Sequence, residues 1–213
     1  LVGIDNPFLP SIYEGIQSVA TASGNKIMVG VGAARTRTEV GLIEQMIDNR
    51  MDGIILVASQ ISGNILDRYA RQIPIVVIGH HEESANSFDT INSNDRLGAE
   101  LAVRALVARG YRDIAMVALE QPEKHPADVS PQRTKGYLAA MDEAGLSDSA
   151  RVFYFPQPEM SRNRAVHDIL RHPDRPRSVF CWSDIDAIPL VSAAHELGLR
   201  IPGDLAVIGY DNS

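Results

Sequence analysis

Five short, almost wholly apolar runs constrain this chain more than any other feature: Gly53–Val57, Ile75–Ile78, Ile114–Ala118, Ser178–Cys181 and Leu205–Ile208. None approaches the roughly 20 residues that cross a bilayer. None alternates polar with apolar, as a strand with one solvated face would. Such runs suit strands buried on both faces of a parallel sheet. Segments of helical period lie between them, and parallel strands need such crossovers. The pattern predicts an α/β protein.

Taken in order, Leu1–Ile4 reads as a strand and Asp5–Pro10 as a turn. Ser11–Ser23 reads as a helix with Ile12, Ile16, Val19 and Ala20 on one face, stopped by Gly24. Lys26–Val31 reads as a second strand. Thr36-Arg37-Thr38-Glu39 has capping-box spacing, and Val40, Ile43, Met46 and Ile47 give the helix that follows its apolar stripe. A short helix is expected over Gly63–Arg71, and Glu82–Asp89 as a polar loop. Further helices are expected at Asp95–Arg109, Pro131–Ala144, Arg162–Arg171 and Ile185–Leu197, three of them closed by Gly110, Gly145 and Gly198. In the second of these, Tyr137, Leu138 and Met141 are expected to face inward. Val152–Phe155 reads as a strand, and Glu120–Ser130 as a long loop able to act as a flap.

The repetition breaks at Thr90–Ala99, where Asn92 to Asp95 are polar in place of an apolar strand. This reads as a crossover between two α/β lobes, residues 1–92 and 93–213, with polar groups facing the cleft between them. The chain's 213 residues suffice for two such cores. Cys181 is the single cysteine, so no internal disulfide can form. The formal net charge of −7 argues against nucleic-acid binding by these residues themselves.

The sequence has no GxxxxGK[ST], GxGxxG after a strand, GxSxG, HExxH or CxxC, so no enzyme, cofactor or metal site is indicated. His80 and His81 are adjacent and point opposite ways in extended chain. Polar or aromatic residues do gather at strand ends and the crossover: Asn6, Phe8, His80, Asn92, Asn94, Ser183 and Asp211. Strand carboxyl ends converge on one side of a parallel sheet. Neutral hydrogen-bonding groups, one aromatic and a carboxylate suit a neutral polyhydroxy ligand. Ser183 also reads as a helix N-cap.

Asn6-Pro7-Phe8, Asp52–Leu56, Ile73–Gly79, Asn94–Ala99, Arg133–Tyr137, Ser183-Asp184 and Ile201–Asp211 together resemble the effector-binding core of the LacI/GalR family of bacterial transcription regulators. Each motif alone is weak; their order along nearly the whole chain is specific. Ser183 stands where the family usually has Asn, and Gln157 lies where it often has an aromatic. The resemblance implies a type I periplasmic-binding-protein fold, two Rossmann-like lobes with parallel sheets joined by crossover strands. It further implies a cytoplasmic homodimer and a separate N-terminal helix-turn-helix domain that reads operator DNA and would lie outside these residues. It adds Arg133 as the arginine that grips effector hydroxyls, to give the ligand set Asn6, Phe8, His80, Asn92, Arg133, Ser183 and Asp211. Truncating Arg133 is expected to spare the fold. The implied function is sensing of a small polar effector, a sugar or related polyol. The alternative is a periplasmic sugar-binding protein of a transporter.

Overall fold

The structure, a computed structural model, describes residues 8–32, 35–80, 87–119, 129–155 and 162–212. Leu1–Ile4 and most of Glu120–Ser130 therefore lie outside the described residues. The chain forms two compact units and passes from the first to the second between Ser93 and Asn94.

The first unit contains α1 (Phe8–Ala22), α2 (Thr36–Asp48), β1 (Ile54–Val57), α3 (Gly63–Ala70), β2 (Ile75–Ile78) and β3 (Asp89–Ile91). The strands pair in parallel in the order β1-β2-β3, with Ile54 opposite Ile75 and Ile78 opposite Ile91. Ile43, Ile54, Ile61, Leu66, Ile73, Ile75 and Val77 make its core, which joins α2 and α3 to the sheet.

Four local expectations are corrected here. Lys26–Val31 is not a strand among the described residues: Ile27, Met28, Val29 and Val31 are exposed, and an open cavity of about 860 Å³ is lined by this stretch and by β1. Apolar, β-prone sequence becomes a strand only beside a partner. Val19, expected on the apolar face of α1, is exposed. A helical stripe can be buried only where another element is apposed to it. The capping box does not form. Thr36 is already helical and its Oγ1 donates to the Gln60 carbonyl, while Glu39 accepts from Ser59 Oγ at 2.7 Å and from the Gln60 N–H at 3.0 Å. The long-range donors outcompete the local cap. Finally, β3 takes up the end of the expected polar loop. All three of its residues are exposed, so apolar patterning gave no sign of it.

The second unit contains α4 (Asp95–Ala108), β4 (Ile114–Leu119), α5 (Val129–Glu143), β5 (Arg151–Phe155), α6 (Arg162–Arg171), β6 (Ser178–Cys181), α7 (Asp184–Glu196) and β7 (Ala206–Ile208). Its strands are parallel in the order β5-β4-β6-β7. Both faces are covered, as the unbroken apolar runs require. Met116, Ala118 and Phe180 pack with Val103 and Leu106 of α4 and Tyr137 and Met141 of α5. Val117, Val179 and Cys181 pack on the other face with Val166 of α6 and Leu190 of α7. Each such large side chain contributes about 1.5–3 kcal/mol by leaving water.

Leu138 is a further correction: it is exposed, and the inward face of α5 is Arg133, Gly136, Tyr137, Ala140 and Met141. At Gly136 a Cβ would collide with the Arg96 carbonyl oxygen, so α5 crosses α4 at backbone distance. That close crossing places Arg133, one turn earlier, beside the first turn of α4.

Candidate functional site

The sequence-predicted residues fall into two groups, one in each unit. Asn6 lies outside the described residues, as does the side chain of Phe8, whose backbone opens α1.

In the first unit, His80 and Asn92 come together at the ends of β2 and β3. Asn92 Oδ1 accepts from the His80 N–H at 2.7 Å, and Asn92 Nδ2 donates to the His80 carbonyl at 2.8 Å. The amide thus imitates one more rung of the β2–β3 ladder. The His80 ring is buried and meets the Phe88 ring edge-on at 5.5 Å between centroids.

In the second unit, Arg133 lies in the second turn of α5 and is 6% exposed. Its Nε donates to Asp95 Oδ1 at 2.9 Å. Its Nη1 donates to the Trp182 carbonyl and, at 3.3 Å, to Asp211 Oδ1. The Tyr210 ring lies 3.5 Å from the guanidinium carbon and the Trp182 ring 5.8 Å away, both cation–π distances. Strand order explains the convergence. Trp182 follows β6 and Asp211 follows β7, and these strands are neighbours. The Asp184 N–H donates to the Tyr210 carbonyl at 3.0 Å and ties the two strand ends together. At Gly209 a Cβ would collide with Asp184 Oδ1, so the Asp184 carboxylate packs against bare backbone there.

Asp211 has φ +90°, a backbone state that non-glycine residues seldom adopt. Burial pushes its carboxyl above the ordinary value of 3.8, although Arg133 pulls the other way. Burial likewise raises the Tyr210 phenol. Ser183 caps α7: its Oγ accepts from the Asp186 N–H and donates to Asp186 Oδ2 at 2.8 Å. Cys181 is fully buried with its thiol pushed well up, the state of an inert core cysteine.

Asp95, Tyr210 and Trp182 are the site residues that sequence reasoning missed. Asp95 reads locally as a helix start, and its partner is 38 positions away. Its burial, side chain included, follows only from the α4–α5 crossing. Among the described residues no group of three or more His, Cys, Asp or Glu could hold a metal ion. The arrangement sets a stacked guanidinium and a carboxylate at strand ends, groups whose chemistry is hydrogen bonding and charge pairing.

Comparison with known proteins adds lineage. Residues 103–213 match the family model described as a periplasmic binding protein-like domain. Over 210 residues the chain is 33% identical to the HTH-type transcriptional repressor PurR of Erwinia tasmaniensis, covering 97% of this chain and 60% of that protein. The PurR repressor of Serratia proteamaculans is 31% identical over the same length, with the same coverage. The chain thus spans about 60% of the length of the curated relatives it matches. A solved LacI transcriptional regulator from a Rhodococcus species superposes with a TM-score of 0.87 at 28% identity, over 99% of this chain and 76% of that one. A putative ribose operon repressor from Burkholderia thailandensis gives 0.82 at 26%, over 99% and 77%.

Proposed function

Because the chain belongs to the periplasmic-binding-protein-like family and carries a LacI/GalR-type effector-binding core, we propose that it is the ligand-sensing part of a transcription regulator. Its ligand is a small polar effector, a sugar or related polyol, anchored by Arg133 and Asp211. The effector alters DNA binding by a helix-turn-helix domain outside these residues, in a cytoplasmic homodimer. The observation that carries this reading is the buried Arg133, stacked on Tyr210 and bonded to Asp95 and Asp211 at the carboxyl ends of β6 and β7. A charged group held there in fixed orientation is the kind of convergent polar feature that ligand sites of α/β sheets use. The repressor relatives favour a regulator over a transporter's binding protein, which shares the fold.

A thermal-shift screen over sugars, sugar phosphates and nucleobases tests the reading, because a ligand that binds only the folded state raises the melting temperature. Calorimetric titration of the best compound then addresses the anchor. Hydrogen bonds to charged groups contribute about 1.5–3 kcal/mol, so a folded Arg133→Gln variant should bind at least about tenfold more weakly. A panel without a stabilising compound, or a hit bound equally well by the folded variant, contradicts the proposal.

A further inference from the structure

We infer that Asp95 sets the charge class of ligand that Arg133 accepts, admitting neutral hydrogen-bonding molecules and excluding phosphate and carboxylate anions. The inference rests on the reading of Arg133 as the ligand anchor.

The geometry of the guanidinium carries the argument. An arginine grips an oxyanion through two parallel N–H donors along one edge. Two edges can do this: Nε with Nη2, and Nη1 with Nη2. Here Nε is taken by Asp95, and Nη1 by the Trp182 carbonyl and Asp211. Each edge has lost one arm, and Nη2 carries none of these three bonds. The Tyr210 ring, 3.5 Å from the guanidinium carbon, covers one face, so turning the group to offer a whole edge would break this stacking as well. A single nitrogen suits one hydroxyl or carbonyl oxygen.

Charge acts in the same direction. One cation meets two carboxylates within hydrogen-bond reach, both nearly buried, and Asp184 adds to the negative field at Asp211. An incoming anion would meet like charge where water screens it little. Asp211 sits at a strand end and is itself one of the proposed ligand contacts. Asp95 is the more deeply buried, with its side chain 1% exposed, and acts through Arg133. It is a positioning residue that holds back one arm of the fork and reverses the local charge.

Inorganic phosphate is the probe, because it needs no knowledge of the natural effector. Isothermal titration of the 213-residue chain with phosphate is compared among wild type, Asp95→Asn, Asp95→Glu and the double variant Asp95→Asn/Arg133→Gln, each checked for folding by circular dichroism. Wild type and Asp95→Glu should give no saturable heat. Asp95→Asn should gain saturable binding at least about tenfold tighter than any wild-type signal, and the double variant should lose it. A purely structural role for Asp95 would not reverse a preference for ligand charge. Saturable phosphate binding by wild type at the Asp95→Asn level, or a folded Asp95→Asn that binds no better than wild type, overturns the inference. If Asp95→Asn does not fold, Asp95→Ser takes its place and is read in the same way. A sugar panel without a hit would defeat the proposed effector class and leave the phosphate result standing on its own.

Discussion

Arg133 shows how a residue's energetics follow from neighbours that its own sequence does not name. As a polar residue early in a helix it would be trimmed at little cost, and the sequence reading expects that. The structure reverses the expectation, because Arg133→Ala strands Asp95 and Asp211, both nearly buried, without their cation. Removing one partner of a buried pair costs about 3–5 kcal/mol. Urea unfolding should show that loss for Arg133→Ala, and stability within about 1 kcal/mol of wild type would mean the pair is solvated. Asp211 makes a second prediction, on pH. Its carboxyl is held above the ordinary value, chiefly by burial. A carboxyl raised in this way stabilises the fold below its unfolded pKa, and that contribution is lost as pH rises through the folded value. At neutral pH the ionised group therefore lowers stability relative to its protonated form. Asp211→Asn keeps the shape and tolerates positive φ equally well, so it isolates the charge. It should melt at or above wild type at pH 7, with the difference closing as pH falls through the raised folded value towards 3.8. Melting well below wild type at pH 7 would show that the Arg133 attraction, and not burial, dominates.

At the scale of elements, the runs buried on both faces were the most legible part of the sequence. Ile114–Leu119 and Ser178–Cys181 occupy central positions in the second sheet, where their neighbours on both faces are apolar and composition alone marks them. Edge elements were not legible. Asp89–Ile91 is exposed throughout and is a strand only because β2 offers its open side. Lys26–Val31 is the converse, strand-like in sequence yet no strand among the described residues. The site divides in the same way. Asp211 was singled out because strand ends are visible, and the structure sets it beside Arg133; Ser183, singled out the same way, is engaged as the cap of α7; Asp95 needed the crossing of α4 and α5 at Gly136, which no local pattern encodes. Asn92 was singled out as a ligand contact, and the structure shows both ends of its amide engaged by the His80 backbone. Asn92→Ala removes both bonds at once. Its expected cost is about 1–3 kcal/mol, that of leaving a partly buried backbone donor unpaired. Hydrogen exchange should then report faster opening at His80 and along β3, while the β4 and β6 amides stay protected; unchanged exchange at His80 would mean that the clamp contributes nothing.

The charge of the whole molecule decides what it can touch. Lys and Arg number 20 against 27 Asp and Glu, for a formal net charge of −7. Much of the positive charge is also held locally: Arg96 and Arg104 face Glu100, Arg104 also meets Glu143, Arg200 is bonded to Asp204, and Arg133 is buried. Exposed pairs of this kind add little to stability, but each cancels the near field that a phosphate backbone would sense. DNA affinity grows with the number of phosphates that cations neutralise, and specificity needs a helix or ribbon presenting side chains to base edges. Among the described residues no helix is basic in that sense; α4 carries the Arg96 and Arg104 pairs, and α6, with Arg162, Arg164 and Arg171, also carries Asp168. This 213-residue chain should therefore show no sequence-specific binding to a pool of duplexes at physiological ionic strength. Whatever weak association appears at low salt should be the same for every duplex and vanish as salt is raised, since only phosphate attraction remains to drive it. Fluorescence anisotropy across a salt series decides the matter: a duplex-specific signal that persists at physiological salt would mean that these residues read DNA themselves.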